Sequence, residues 1–123
     1  MTWTETHARR TVLLAVLDRA AADPERPLTA GDPEAERLFG SDEGMLLALQ
    51  HRWLTFLAAR LDDGEGEAPQ AVWDDLVAVQ PVLRAVLDAG ARRSPALRAA
   101  RRAERRMIDA YLGFAHSETR RAG

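Results

Sequence analysis

At 123 residues the chain has room for one domain with a modest core. Hydrophobic residues make up 46% and charged residues 29%, a globular balance that excludes a disordered chain, and no apolar run nears the ~20 residues of a membrane span. Cysteine is absent, which removes disulfides, thiolate metal sites and a cysteine nucleophile together. The formal net charge of −2 hides an asymmetry: residues 1–91 hold eight Arg against sixteen acids, and residues 92–123 hold nine Arg against three.

In chain order, Thr2 and Glu5 form a capping box for a first helix whose apolar face is Val12, Leu13, Val16, Leu17 and Ala20. It is expected to stop near Ala22, before Asp23-Pro24 and Pro27. The opening MTWTETHARR carries acid and base, and its LLAVL run ends at Asp18. That pattern is not a secretory signal, and a cytoplasmic protein is expected. A connector over 23–32 leads to a short helix capped by Asp32, started by Pro33 and closed by Gly40.

Ser41 caps the second long helix, roughly 42–62, which is apolar around most of its circumference: Met45, Leu46, Leu47, Leu49, Trp53, Leu54, Phe56, Leu57 and Leu61. Such a helix belongs at the centre of a fold. The polar stretch Asp62–Glu67 ends it, and lacks the residue order of a calcium loop. Pro69 opens the third segment, where Val72, Leu76, Val79, Leu83 and Val86 keep one helical phase through Pro81. That phase predicts a single helix, kinked at Pro81 and stopped by Gly90. Ser94-Pro95 starts the last helix, expected to run to about Ala115 and to pack by Ala96, Ala100, Ala103, Met107, Ala110, Tyr111 and Phe114.

The four long segments match in length at about 30 Å each, and most connections are short. The expected fold is therefore all-α: an antiparallel four-helix bundle with a short extra helix in the first connector and a Pro-kinked third helix. Residues 1–116 form the single domain and 117–123 a frayed tail.

Few residues suggest chemistry. None of His7, His51 and His116 has a carboxylate one helical turn away, so the spacing of a bundle metal site is missing. Ser41, Ser94 and Ser117 stand at caps or in the tail, and no nucleophile elbow, phosphate loop or dinucleotide fingerprint is present. No catalytic residue, metal or cofactor is therefore expected. Two clusters remain. Gln50, His51, Arg52 and Trp53 place polar groups within the apolar central helix, and form a candidate ligand pocket as an alternative to ordinary paired core contacts. Arg98, Arg101, Arg102, Arg105 and Arg106 recur at helical spacing over an arc of about 140°. This stripe is a solvated face, a partner surface or an anion-binding surface. The negative net charge and the lack of a DNA-reading motif disfavour nucleic acid, and its alanine-rich opposite face disfavours a membrane surface. Lys and Asn are absent and Ile occurs once, which fits the codons of a GC-rich genome and discounts any special choice of Arg.

The run Leu46-Leu47-Ala48-Leu49-Gln50-His51-Arg52-Trp53, with Ala59-Arg60-Leu61-Asp62, resembles a set of short actinobacterial proteins of unknown function. The likeness extends loosely through Pro81–Leu87 and Pro95–Arg98. It implies a small soluble helical protein and assigns no activity. The second half is also similar to the ligand-binding domains of TetR-type repressors, while the first half lacks their three-helix DNA-binding head. The mostly apolar central helix and the complementary charge of the two parts of the chain lead instead to the expectation of a non-enzymatic helical-bundle interaction protein that self-associates as a homodimer. The alternative is a small-molecule-binding domain with its pocket at the central helix.

Overall fold

Caps and breakers set the helix ends. In the computed structural model, which describes residues 2–64 and 67–122 and side chains as far as Tyr111, the chain is all-α with no strand among the described residues. Its helices are α1 (Trp3–Ala20), α2 (Pro33–Phe39), α3 (Asp42–Asp63), α4 (Pro69–Val79), α5 (Pro81–Ala91) and α6 (Pro95–Ala122). The Thr2–Glu5 capping box is formed, and the Asp32 and Ser41 side chains accept from Ala35 and Gly44 amides. Gly31 and Gly40 take positive φ, the backbone that glycine adopts without strain.

Three boundaries differ from expectation. The third segment is two helices rather than one kinked helix, because Gln80 leaves the helical region at φ −122°, ψ 59°. Proline has no N–H for the ladder and disfavours helical geometry in the residue before it, so Pro81 begins a new helix. The break turns Val79 out of the apolar phase, leaving it 57% exposed. Gly90 does not stop α5 but lies within it. A Cβ there would run into both methyls of the buried Leu46, so glycine permits close approach of α5 to α3. Finally, α6 continues past Ala115 to Ala122, since nothing but Gly113 interrupts its helix-compatible sequence. Glu65, Gly66 and the side chains from Leu112 onward, Phe114 and His116 included, lie outside the described residues.

Helix α3 meets α2, α4, α5 and α6, whereas α1 rests on α2 and α5. Met45, Leu46, Leu49, Trp53 and Leu57 of α3 are wholly buried, and around them pack Val16 of α1, Leu76 of α4, Leu83, Val86 and Leu87 of α5, and Leu97 of α6. Among the described residues of α6, Leu97 and Glu104 are buried; Met107 and Tyr111 of the expected face pack against the core, and the face extends beyond it to the half-buried Arg101 and Ile108.

Glu104 is the centre of a buried polar knot. Its Oε1 accepts from Trp53 Nε1–H and, at 3.3 Å, from Arg84 Nη1. The Arg84 guanidinium lies 4.9 Å from the Trp53 ring centre and 5.3 Å from that of Trp73, and also donates to Asp88 Oδ1 at 2.9 and 3.1 Å. Charge also ties the two unlike parts of the chain together. Arg93 forms a two-pronged bond to Asp42 at 2.8 and 3.0 Å, Arg92 pairs with Glu25, and Ser94 donates to Glu43 at 2.6 Å.

Two outcomes follow. Glu104→Ala removes one of the two carboxylates paired with Arg84 and the acceptor of the buried Trp53 Nε1–H, and should cost about 1–3 kcal/mol in urea unfolding. A paired Arg84→Met, Glu104→Leu change should recover most of that loss, because it removes both charges at once. At the start of α3, burial pushes the Asp42 carboxyl up, but the Arg93 hydrogen bonds and the Leu28 amide outweigh it and hold it below the usual carboxylate range. A depressed folded-state value contributes stability above the unfolded-state pKa, and that stability is lost as pH falls through the folded-state value. Thermal melts carried from neutral pH into acid should therefore show Asp42→Asn less stable at neutrality and less sensitive to acid than the parent.

Candidate functional site

Four consecutive helical residues cannot share one face, because each step turns the side chain by about 100°. The structure accordingly splits the Gln50–Trp53 cluster three ways. Trp53 points into the Glu104 knot, packed edge-to-face on Trp73 with ring centres 6.2 Å apart. Gln50 is 1% exposed within the core, and neither polar atom of its amide has a hydrogen-bond partner. His51 and Arg52 are the two that meet, on the side of α3 facing α1 and the end of α2.

There they line a groove of about 450 Å³ with Arg9, Arg10 and Leu13 of α1, Phe39 of α2, and Ala48, Thr55 and Phe56 of α3. Its volume falls in the range of roughly 300–1,000 Å³ common to small-molecule sites. The walls follow a simple plan. Arg9 donates to the Leu38 carbonyl at 2.8 Å, which places its guanidinium 4.4 Å from the Phe39 ring centre. Arg52 lies 4.8 Å from the Phe56 ring centre, four residues along the same helix. Each aromatic ring thus holds one guanidinium over its face, and buried Leu13 completes the apolar surface.

No carboxylate is among the residues that line this groove. Arg52 has no ion pair among the described residues. Burial, and after it the positive charge of Arg10, lowers the pKa of its guanidinium. Like charges crowd this groove, and a bound anion would relieve them. Outside the groove lining, α1 exposes Trp3 and Leu14, and α3 exposes Leu47. Trp3 stacks on His7 with ring centres 5.3 Å apart.

The five arginines of α6 do not act as one stripe. Arg98 donates to the Ala91 carbonyl at the end of α5, and Arg101 bonds Asp88 at 2.5 Å. Arg102, Arg105 and Arg106 are exposed and without an ion pair among the described residues. No group of three or more His, Asp or Glu among the described residues is placed to hold a metal ion. Among those residues, too, no helix is long and apolar enough to cross a membrane.

Arg9, Arg10, Phe39 and Phe56 were not legible as site residues, because the groove forms only when α1 and α2 are set beside α3. Arg84, Asp88 and Glu104 were missed as well. The line Leu97, Arg101, Glu104, Ile108 on α6 was the available signal, since those spacings put an acid in the middle of a packing face. Among known proteins, no family model matches this chain, and no curated protein or solved structure matches it.

Gln50 supplies a direct test of how the core treats its polar residue. A buried amide with no partner costs about 1–3 kcal/mol, so Gln50→Leu should stabilise the protein by about 1 kcal/mol or more in denaturant unfolding. Loss of stability instead would show that the amide is satisfied in solution.

Proposed function

We propose that this protein is a non-enzymatic, cytoplasmic helical binding domain, with a groove between α1 and α3 that takes an amphipathic anion, a carboxylate or phosphate carried on an apolar body. In this reading α1, α3, the α4–α5 pair and α6 serve as the four members of an antiparallel bundle, and α2 closes one end of the groove. One observation carries the proposal. Arg9, Arg10, Arg52 and His51 line a groove floored by Leu13, Phe39 and Phe56, with no carboxylate among the lining residues to neutralise them. Surface arginines normally find acids or open water; here two lie over rings and one is partly desolvated beside another cation.

Charge also bears on the second reading, self-association. Exposed Trp3, Leu14 and Leu47 favour a contact between copies. A two-fold contact centred on the groove would set Arg9, Arg10 and Arg52 against their own copies, which is repulsive. A homodimer is therefore better served by the outer face of α1, leaving the groove open.

Calorimetric titration with decanoate and decanol separates these readings. Decanoate should bind saturably, and decanol, equal in length but uncharged, should bind at least roughly tenfold more weakly. Arg52→Gln should weaken decanoate by about tenfold and leave decanol unchanged, while Phe56→Ala should weaken both. Equal binding of acid and alcohol would remove the anion reading. Light scattering of the free protein tests the homodimer separately.

A further inference from the structure

The seam between α4, α5 and α6 carries a second groove, of about 490 Å³, on which the anion reading makes no demand. Gln70 and Trp73 of α4, Arg84 and Asp88 of α5, and Arg101, Glu104, Arg105, Ile108 and Asp109 of α6 line it. Its charges balance, with Arg84, Arg101 and Arg105 against Asp88, Glu104 and Asp109. A lone anion or a lone cation would gain from one set and lose to the other.

Internal bonds use up only part of this set. Arg84 and Glu104 are 5% and 6% exposed and bonded to each other, and Arg101 is bonded to Asp88. All the hydrogen bonds that the two carboxylates accept fall on a single oxygen of each, Glu104 Oε1 and Asp88 Oδ1. Among the described residues only Gln50 has buried polar side-chain atoms without partners, so the unbonded Glu104 Oε2 is not fully buried, and Glu104 is one of the residues lining the groove. At the rim Arg105 and Asp109, four residues apart on α6, are exposed and have no ion pair among the described residues. The half-buried Trp73 and Ile108 provide apolar surface between floor and rim.

From this arrangement we infer that the α4–α6 groove binds a small zwitterion of the α-amino-acid type with an apolar side chain. The ammonium is received by Glu104 Oε2, the free oxygen of Asp88 and Asp109; the carboxylate by Arg105; and the side chain lies against Trp73 and Ile108. The Arg84–Glu104 pair serves as a rigid floor, held in place by Trp53 and Trp73 before the ligand arrives. Preorganised charge of this kind loses little entropy on binding and discriminates by requiring both ends of the ligand.

The test uses the full chain and three probes: L-phenylalanine, N-acetyl-L-phenylalanine, which lacks the ammonium, and L-phenylalaninamide, which lacks the carboxylate. The readout is the indole N–H resonance of Trp73, assigned with Trp73→Phe, in a proton–nitrogen correlation spectrum. L-phenylalanine should shift that resonance saturably at millimolar concentration or below, and both derivatives should bind at least about tenfold more weakly. Arg105→Gln and Asp109→Asn, exposed changes that leave the core untouched, should each weaken L-phenylalanine by about tenfold without lowering the melting temperature. The inference is overturned if no saturable shift occurs, if either derivative binds as tightly as the free amino acid, or if both variants bind like the parent.

Discussion

The Arg84 guanidinium is the constraint around which the rest of the molecule is arranged. It lies near the faces of two tryptophans, from α3 and α4, and bonds carboxylates of α5 and α6. One cation therefore fixes the relative placement of four helices. Apolar packing alone would hold these helices together but would tolerate sliding and rotation, since Leu and Val contacts are not directional. A planar guanidinium with fixed donor directions does not tolerate them. Burying charge is costly, and hydrophobic replacement of such a pair can match its stability, so its effect here is better described as specificity of register than as net stabilisation. The consequence reaches the surface. Because Glu104 is held at the base of the α4–α6 seam by Trp53 and Arg84, the seam cannot close into an apolar interface and remains a polar groove.

Charge segregation along the chain has the same physical outcome at larger scale. The acid-rich first part and the arginine-rich last part meet inside one molecule, through Arg92–Glu25, Arg93–Asp42 and Arg101–Asp88. Arg93–Asp42 and the Ser94–Glu43 bond clasp the beginning of α6 to the beginning of α3, where the Leu28 amide also anchors the connector. Much of the complementarity that a sequence-level argument assigns to a second copy is thereby consumed within the fold. Apolar surface behaves likewise. Most of the circumference of α3 is covered by its own chain, and Leu47 is its one large hydrophobic residue left notably exposed. Both motives for obligate self-association are weaker in the folded molecule than in the sequence.

Local signals translated well into structure and relational ones did not. The Thr2–Glu5 box, Asp32-Pro33, Ser41, Pro69 and Ser94-Pro95 each state a helix start in residues adjacent to it, and each start is found there. Pro81 was visible too, but its effect depended on whether apolar phase or backbone chemistry prevailed. The missing N–H and the restriction on Gln80 won, and Val79 moved to solvent. Gly90 looked like a stop because glycine often is one; its value lies in Leu46, a residue far away in sequence. The cluster Gln50–Trp53 was contiguous in sequence and for that reason divided in space. Glu104, counted among the acids of a basic stripe, is buried because a tryptophan and an arginine from two other helices meet it. No inspection of α6 alone contains that fact.

What remains after internal pairing also limits what the two grooves can do. In the α1–α3 groove the positive charges are uncompensated, and Arg10 disfavours the charge of Arg52 in the absence of a ligand. A bound anion there removes repulsion as well as adding attraction, so occupancy also stabilises the surrounding helices, by an amount that grows with ligand concentration relative to its Kd. In the α4–α6 groove the charges are already matched, and a ligand must replace water at open oxygens without disturbing the Arg84 knot. Binding on that side gains little from relief of strain and depends on how well the ligand's two ends fit fixed partners. Sites of the first kind accept many acids of suitable length; those of the second kind accept few molecules. Helix α3 separates them physically, presenting His51 and Arg52 to one groove and Trp53 to the knot beneath the other, within three consecutive residues.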